Sequence, residues 1–322
     1  MKQSNRNERL LISLTASEDN IGERLDKFLV DFANDKKNLK NFSRGDFIRA
    51  IKNGKVLVNK LKIKPSYRLS VDDRIELNIK NVKTTNKLIA NPKIKLDIIF
   101  EDDDLIALNK PAGIQVHPDH NEKKQTLLNG IIAKFPKILK IKDNSPHFRP
   151  GIVHRLDKDT SGIIIVAKNN QSFIELKKLF RKRKIQKKYL AIVHGEPQEK
   201  SAIIDKPLAR KTNYRRQVIA GQKTKTKIRS AITKYHMLKT LPNNFSLLEI
   251  FPKTGRTHQI RVHLFSIGHP IVGDKLYKGK LFKKISSTNR QMLHAQEIKF
   301  KLFGKSYNLS ADIPNDFNDF LK

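Results

Sequence analysis

The carboxylate of Asp157 is the group in this sequence best placed for covalent chemistry. It lies between two basic residues, with a second acid at Asp159, in a charged loop (151–162) that leads into an apolar run (163–167). An ionised carboxylate can act as a nucleophile, but burial would raise its pKa, so it needs a cationic partner. A guanidinium suits that role, because it is permanently charged and can bind a carboxylate bidentately. A solvated charged turn before a strand is the alternative interpretation.

Other chemistries have weaker support in the residue spacing. His258 and His263 are five residues apart, unlike a helical metal pair, and His117 has no partners nearby at ligand spacing. Ser161 lacks the glycine pattern of a hydrolase nucleophile elbow. Segment 268–275 resembles a phosphate-binding P-loop only superficially, because a predicted helix precedes it. The absence of cysteine excludes disulfides, thiolate zinc sites and cysteine nucleophiles. We therefore expect no metal and no nucleotide cofactor.

The chain is strongly basic: its 322 residues include 66 Lys or Arg and 31 Asp or Glu, a formal net charge of +35. Three tracts, residues 47–71, 177–188 and 206–234, contain basic residues and no acid. Such tracts repel themselves unless a polyanion is near, so nucleic acid is the expected partner. A membrane partner is disfavoured, because no apolar run approaches the ~20 residues of a spanning helix. No signal peptide is visible, which predicts a cytoplasmic protein.

The first eighty residues predict a small α/β module. Apolar residues at helical spacing predict a helix over residues 21–33. Ser43 can cap a second helix that ends at Gly54. Strands are predicted at 56–58 and, from alternating apolar residues, at 75–79.

This module resembles the S4 RNA-binding domain, whose small α/β fold is of the αL type. The resemblance rests on R-L-D-K-F-L (24–29), on I-x-x-G-x-V-x-V-N (51–59) and on D-D-R-I-E-L (72–77). Lys60 and Asp72 stand where the family has glycine, which puts loop geometry in question more than the fold. The resemblance implies that the second helix and the following loop present cations to RNA phosphates. A solvated basic helix face is the alternative. The cations concerned are Arg44, Arg49, Lys52, Lys55, Lys60 and Lys62.

The rest of the chain predicts a larger domain. Residues 83–93 show no sustained periodicity and form the predicted linker between an S4-like domain (15–82) and a catalytic domain (94–322). The catalytic domain combines short or alternating apolar runs, typical of strands, with amphipathic helical segments. Strands are predicted at 96–100, 105–108, 163–167, 189–193, 245–251, 298–302 and 307–311, and helices at 128–135, 173–180 and 260–267.

Four motifs of the larger domain resemble those of the RluA-like pseudouridine synthases, and the two strongest, at 154–162 and 254–263, occur in the family's order. They are N-K-P-x-G-x-x-V-H-P (109–118), H-R-L-D-K-D-T-S-G (154–162), K-K-Y-L-A-I-V-H-G (187–195) and T-G-R-T-H-Q-I-R-V-H (254–263). The resemblance implies isomerisation of uridine to pseudouridine within RNA, a reaction that oxidises nothing and needs no cofactor. It also implies an α+β fold: a mostly antiparallel central sheet with flanking helices and a cleft across one face.

The resemblance also implies roles for individual residues. Asp157 is then the nucleophile, which attacks either the sugar or the uracil, and Arg256 is its cationic partner. Tyr189 stacks under the target uracil, although a tyrosine at the start of a strand is more often a core residue. The target must leave its stack to reach the pocket, at a cost of a few kcal/mol in a duplex. Arg155 is expected to contact the displaced strand rather than to take part in the chemistry.

The basic segment 205–234 resembles the arm with which these enzymes grip RNA, although a disordered insertion is the alternative. An S4 domain joined to this catalytic domain resembles the RluC- and RluD-like members that modify bacterial large-subunit (23S) ribosomal RNA. Transfer RNA is the alternative substrate, and a catalytically inactive RNA-binding or ribosome-assembly protein on the same fold is a further alternative. A monomer is the default oligomeric state. The RNA contacts predicted in the arm are Arg210, Arg215 and Arg216.

Overall fold

The computed structural model describes residues 9–34, 36, 39, 42, 44–80, 88–119, 121–141, 148–211, 216–224, 226–279 and 288–321. The chain divides into two units, residues 1–87 with 144–148, and residues 88–143 with 149–322. Each unit contains its own cluster of buried apolar side chains. The predicted helix cap Ser43 and part of the predicted linker, residues 83–87, lie outside the described residues.

The small unit is an antiparallel sheet with two helices. Its elements are β1 (Arg9–Thr15), α1 (Leu25–Asn34), α2 (Arg44–Lys52), β2 (Val56–Val58) and β3 (Arg74–Lys80). Strand β3 is central, with β1 and β2 on either side. The helices bury Leu25, Leu29 and Phe47 against strand residues such as Ile75 and Leu77. The sequence predicts these elements except β1, and α1 begins at Leu25 rather than at residue 21.

Lys60 and Asp72, the two departures from the S4 pattern, adopt the conformation that glycine would supply. Their φ angles are 66° and 63°, in the left-handed region where a side chain is strained. Hydrogen bonds hold the loops: Asn59 donates from Nδ2 to Asp73 Oδ1 at 2.8 Å, and its Oδ1 accepts the Arg74 backbone N–H at 2.8 Å. The loops therefore keep left-handed geometry without glycine.

The large unit is built on a mostly antiparallel sheet, as the family resemblance implies, and nine of its eleven described strands belong to that sheet. Its strands are β4 (Ile98–Glu101), β5 (Leu105–Lys110), β6 (Ser161–Ala167), β7 (Gln186–His194), β8 (Ser201–Asp205), β9 (Leu208–Arg210), β10 (Gln217–Ile219), β11 (Ile232–Leu241), β12 (Phe245–Pro252), β13 (Leu293–Leu302) and β14 (Lys305–Ser310). The sheet order is β4-β5-β6-β13-β7-β12-β11-β8, with β14 paired to β13. Strands β6 and β13 run parallel, and the other neighbouring strands run antiparallel.

The helices of the large unit pack on this sheet. They are α3 (Leu127–Lys134), α4 (Asn170–Arg181), α5 (Gln259–Ser266) and α6 (Asn315–Asn318). Asn169 caps α4, because its side chain accepts the Ser172 N–H, and the helix buries Phe173 and Leu176 in the core. No helix in the described parts of the chain is both long enough and apolar enough to cross a membrane.

Strand β6, which follows the Asp157 loop, is buried along its whole length. Its second residue, Gly162, has a φ of 111° and lies directly against β13. A Cβ at this position would be 2.2 Å from the Ala295 carbonyl oxygen and 2.6 Å from the Ala295 nitrogen. Because only glycine permits this contact, Gly162 fixes the point at which the Asp157 loop enters the sheet.

Strands β9 and β10 form a separate two-stranded hairpin within the predicted RNA-gripping arm. Leu208 and Ile219 of this hairpin pack with Val262 and the buried ring of Tyr277. The described part of segment 205–234 is therefore folded onto the large unit. Residues 212–215 and 225 of the arm lie outside the described residues.

Candidate active site

Asp157 forms an ion pair with Arg261 of helix α5. The Nη1 atom of Arg261 donates to Asp157 Oδ2 at 2.9 Å, and the two side chains are 8% and 17% exposed, respectively. Thus α5 approaches the loop before β6, although the two residues are 104 positions apart in the sequence. The other carboxylate oxygen, Oδ1, has no hydrogen-bond partner among the described side chains and backbone groups. This leaves one oxygen of a mostly buried carboxylate available to a substrate.

A second carboxylate, Asp274, orients the Arg261 guanidinium. Nε and Nη2 of Arg261 donate to the two oxygens of Asp274 at 2.6 and 2.9 Å. The Oδ1 atom of Asp274 also accepts the backbone N–H groups of Leu276 and Tyr277. Burial opposes the positive charge, but Asp274 and Asp157 raise the pKa of Arg261 above that of a free guanidinium. Arg261 is therefore held on one edge by Asp274 and presents Nη1 to Asp157.

The predicted pairing of Arg256 with Asp157 is wrong. The Nε atom of Arg256 donates to the Ser230 carbonyl at 3.1 Å, and its backbone N–H donates to Gln259 Oε1 at 3.0 Å. Residue 256 precedes α5, which begins at Gln259, whereas Arg261 lies within the helix and reaches Asp157. A sequence signal for Arg261 does exist: a single arginine between apolar residues in a helix indicates a buried, paired charge.

Tyr189 lies near Asp157 on strand β7, between Ile250 of β12 and Ala295 of β13. Burial, reinforced by the negative charge of Asp157, raises the pKa of its phenol. The ring also packs against two apolar clusters of the large unit. Tyr189 therefore contributes to the core as well, which is the alternative interpretation given above for this residue. The structure thus brings Tyr189 and Asp157, but not Arg256, to the same site.

His258 is a further neighbour of Asp157, considered in the sequence only as a metal ligand. It adopts a left-handed φ of 55° just before α5, and its Nε2 is 3.9 Å from Asp157 Oδ2. Its Nδ1 is 3.0 Å from the Tyr277 hydroxyl, which accepts the backbone N–H of Gln217 at 2.9 Å. In the tautomer that accepts the phenol proton at Nδ1, the imidazole N–H is on Nε2, facing Asp157. Burial lowers the pKa of His258, while Asp157 opposes that shift.

Lys110 stabilises the loop that contains Asp157. It is completely buried, and its Nζ donates to the carbonyl oxygens of Pro111, Ile114 and Lys158 at 2.7, 3.0 and 2.9 Å. Burial lowers the pKa of Lys110 to about 7, opposed by the charges of Asp159 and Asp157. Three acceptors match the three donors of an ammonium group. Lys110 thus ties the loop 110–114 to the segment that follows Asp157.

Comparisons with known proteins identify the family. The sequence model of the family described as RNA pseudouridylate synthase matches residues 104–266, and that of the S4 domain matches residues 36–75. The chain is 34% identical over 313 residues to the uncharacterized RNA pseudouridine synthase YlyB of Bacillus subtilis (strain 168), with 97% of each chain covered. This chain belongs to the RNA pseudouridine synthases. The predicted family and the predicted S4 domain are confirmed.

Two further comparisons agree with this pseudouridine synthase assignment. The chain is 35% identical over 320 residues to the ribosomal large subunit pseudouridine synthase C of Buchnera aphidicola subsp. Schizaphis graminum, with 95% of each chain covered. Among solved structures, Human RNA Pseudouridylate Synthase Domain Containing 1 aligns with a TM-score of 0.57 at 26% identity. That alignment covers 68% of this chain and 84% of the human chain. The protein is therefore an isomerase that acts on RNA.

The predicted RNA contacts of the synthase's small unit differ in their surroundings. Arg44 donates to the buried Asp26 at 2.9 Å, and Arg49 forms an ion pair with Asp46. These two arginines therefore already have acidic partners. The remaining cations have exposed side chains and no ion pair with a described residue: Lys52, Lys55, Lys60 and Lys62.

The predicted RNA contacts of the synthase's large unit also differ in their exposure. Arg155 is exposed two residues before Asp157, and Arg210 is exposed at the end of β9. Arg215 lies outside the described residues. The guanidinium of Arg216 lies 5.0 Å from the centre of the Tyr277 ring, in a cation–π contact behind the His258 side chain. Arg216 therefore supports the site from within the protein.

Lys187, two residues before Tyr189 on β7, was also missed by sequence reasoning. Burial lowers the pKa of Lys187 to about 8. Its Nζ lies beside the turn that contains Gly255, where an added Cβ would be 3.8 Å away. No group of three or more metal-ligand side chains is present in the described part of this synthase.

Proposed function

We propose that this pseudouridine synthase isomerises uridines of large-subunit ribosomal RNA, with Asp157 as the nucleophile. The observation that carries the proposal is the partly exposed Asp157, whose charge is stabilised by a guanidinium at 2.9 Å while one oxygen has no described partner. The printed name of the Buchnera relative supports ribosomal RNA of the large subunit as the substrate. The exposed lysines of the S4 domain are suited to anchor that RNA through its phosphates.

The reaction breaks the bond between ribose C1′ and uracil N1 and forms a bond between C1′ and C5. The atoms balance, because C5 loses a proton and N1 gains one. Oδ1 of Asp157 forms a covalent bond with either the sugar or the uracil ring, and the same bond breaks when the base is rejoined. Arg261 balances the negative charge of Asp157 through the ion pair at 2.9 Å.

Tyr189 acts as a flat surface for the displaced uracil. Since burial and Asp157 raise the pKa of Tyr189, its phenol is neutral near pH 7. A target base in a duplex must unstack, which costs a few kcal/mol. Stacking on the tyrosine ring, worth about 1–3 kcal/mol per base, offsets part of that cost.

The test is a map of pseudouridines in total RNA from cells that lack this protein, complemented with the wild type or with Asp157→Asn. We expect specific large-subunit sites to disappear and to return only with the wild type. If pseudouridines are lost only from transfer RNA, the substrate is transfer RNA rather than large-subunit ribosomal RNA. Restoration by Asp157→Asn would remove Asp157 as the nucleophile.

A further inference from the structure

Three arginines from distant parts of the chain converge beside the turn that precedes α5. Arg256 donates from Nε to the carbonyl of Ser230, which places its guanidinium next to Arg229. Burial lowers the pKa of Arg256, and the positive charges of Arg229 and of Arg183, in the left-handed turn after α4, lower it further. We refer to Arg183, Arg229 and Arg256 as the arginine cluster.

The arginine cluster has no acidic partner in the part of the chain that the structure describes. None of its three guanidiniums forms an ion pair with a described carboxylate, and Arg183 and Arg229 are exposed. Like charges held together without a counterion repel one another, so the cluster attracts an anion. The neighbouring tracts supply no acid either, since residues 177–188 and 206–234 contain none.

Arg256 is rigidly held, although its outer nitrogens are free. Thr254 Oγ1 and the Arg256 backbone N–H both donate to Gln259 Oε1, and Gln259 Nε2 donates to the Ile232 carbonyl and to Thr233 Oγ1. With Nε bonded to the Ser230 carbonyl, the guanidinium has a fixed direction. Nη1 and Nη2 have no partner among the described residues. A preoriented guanidinium with two free nitrogens matches the geometry of a phosphate group.

The turn that carries Arg256 leads directly to the reacting carboxylate. His258, two residues later, has its Nε2 3.9 Å from Asp157 Oδ2. Two residues span at most about 7 Å. The arginine that would hold the anion and the histidine that faces Asp157 are therefore carried by the same short turn.

We propose that the arginine cluster binds a phosphodiester of the RNA strand immediately next to the target uridine. This inference rests on the proposed action of Asp157 on a displaced uridine. The bound phosphate fixes the strand while the base leaves its stack. Arg256 is thereby a phosphate ligand, in place of the role of carboxylate partner that the sequence predicted.

The test measures RNA affinity rather than catalysis. A substrate RNA fragment is titrated with the wild type and with Arg256→Gln at several KCl concentrations, with circular dichroism to verify folding. We expect a dissociation constant about tenfold higher, because the variant lacks the charge-assisted hydrogen bonds to the phosphate. We also expect the slope of log affinity against log KCl concentration to become smaller by about one, as for the loss of one phosphate contact. Lys301→Gln, an exposed lysine on β13 outside the acid-free tracts and with the same charge change, is the control and should alter neither quantity.

A second arm identifies the phosphate. Neutral methylphosphonates are placed singly on either side of the target uridine, and each RNA is tested with both proteins. At the contacted position, the modified RNA should bind the wild type and Arg256→Gln equally. If no position removes the difference, or if inorganic phosphate alone competes as well as RNA does, the cluster is not a site for this strand. Because only binding is measured, an active Asp157→Asn enzyme would refute the proposed function without affecting this result.

Discussion

Asp157 is a mostly buried carboxylate whose charge is balanced by an ion pair with Arg261. Its partner, Arg261, is itself buried and would be costly without Asp274, which takes two of its hydrogen bonds. The site is thus a row of three groups, in which an acid at each end holds a central guanidinium. Asp274 also accepts two backbone N–H groups and is held in place, whereas Oδ1 of Asp157 has no partner among the described residues.

This arrangement predicts a clear difference between two arginines of one motif. Arg261→Lys removes the planar donor that bridges Asp274 and Asp157, and we expect the single-turnover rate at saturating RNA to fall about 10²-fold, as for the loss of one fixed donor in an active site. Arg256→Lys is the matched change at an arginine that does not contact Asp157. The factor by which it lowers that rate should be at least ten times smaller than the factor for Arg261→Lys. The rate is measured by quench-flow on one labelled uridine. A larger loss for Arg256→Lys would favour the pairing that the sequence predicted.

The turn between β4 and β5 is tied to β14 by a single aspartate. Asp102 accepts the backbone N–H groups of Asp104 and Leu105 with one oxygen, and the Lys305 ammonium and Tyr307 hydroxyl with the other. Burial opposes the charge, but these hydrogen bonds lower the pKa of Asp102 to about 2, from 3.8. The unfolded chain therefore binds more protons between pH 2 and 3.8, so stability rises with pH across that window.

We expect Asp102→Asn to lower the free energy of unfolding at pH 7 by about 1–2 kcal/mol. The difference from the wild type should shrink as pH falls from 4 to 2, because the wild-type carboxylate becomes protonated. Urea denaturation at a series of pH values measures it. Asp103→Asn, an exposed neighbour in the same turn, is the control, and a difference that does not vary with pH would contradict the assignment.

Most elements of the sheet could be predicted from the sequence, because their apolar runs are short, β-branched and bounded by polar turns. The hairpin of β4 and β5 and the buried strand β6 are examples. Strand β1 was not predicted. Its residues 11–15 alternate only between exposed and half-buried positions, so the strand has no fully buried face to mark it. The hairpin of β9 and β10 was not predicted because its strands are three residues each and are held by contacts with Tyr277, distant in sequence.

The arginine that faces Asp157 could not be selected from the motif alone. Arg256 and Arg261 both lie in T-G-R-T-H-Q-I-R-V-H, and which one reaches the carboxylate depends on where α5 begins. The left-handed His258 sets that point, and a histidine in this conformation is not apparent from the sequence. Asp274 likewise comes from a loop whose position depends on the folded sheet.

At the scale of the whole molecule, the charge of +35 makes RNA binding strongly dependent on salt. The exposed lysines of the S4 domain are the predicted source of part of that dependence. Replacing all four by glutamine should reduce the salt slope by up to about three, since each phosphate contact on a single strand contributes about 0.7. The four positions are Lys52, Lys55, Lys60 and Lys62.

A control variant with the same charge change separates contact from general attraction. In this control, four exposed lysines of the large unit are replaced instead of the four in the S4 domain. The control should keep a salt slope closer to that of the wild type. Fluorescence anisotropy over a range of KCl concentrations provides both slopes. Equal slopes for the two variants would mean that the S4 lysines act only through net charge. The control positions are Lys137, Lys140, Lys200 and Lys301.

The central claim is that the Asp157 carboxylate forms the covalent bond that allows the uracil to turn. Release of tritium from C5 of labelled uridine in large-subunit ribosomal RNA reports that event, because C5 loses its hydrogen only when it becomes bonded to C1′. For Asp157→Asn, which preserves size and a hydrogen-bond acceptor for Arg261, we predict RNA binding close to wild type and tritium release at least about a thousandfold slower. Release within tenfold of the wild-type rate would contradict the account.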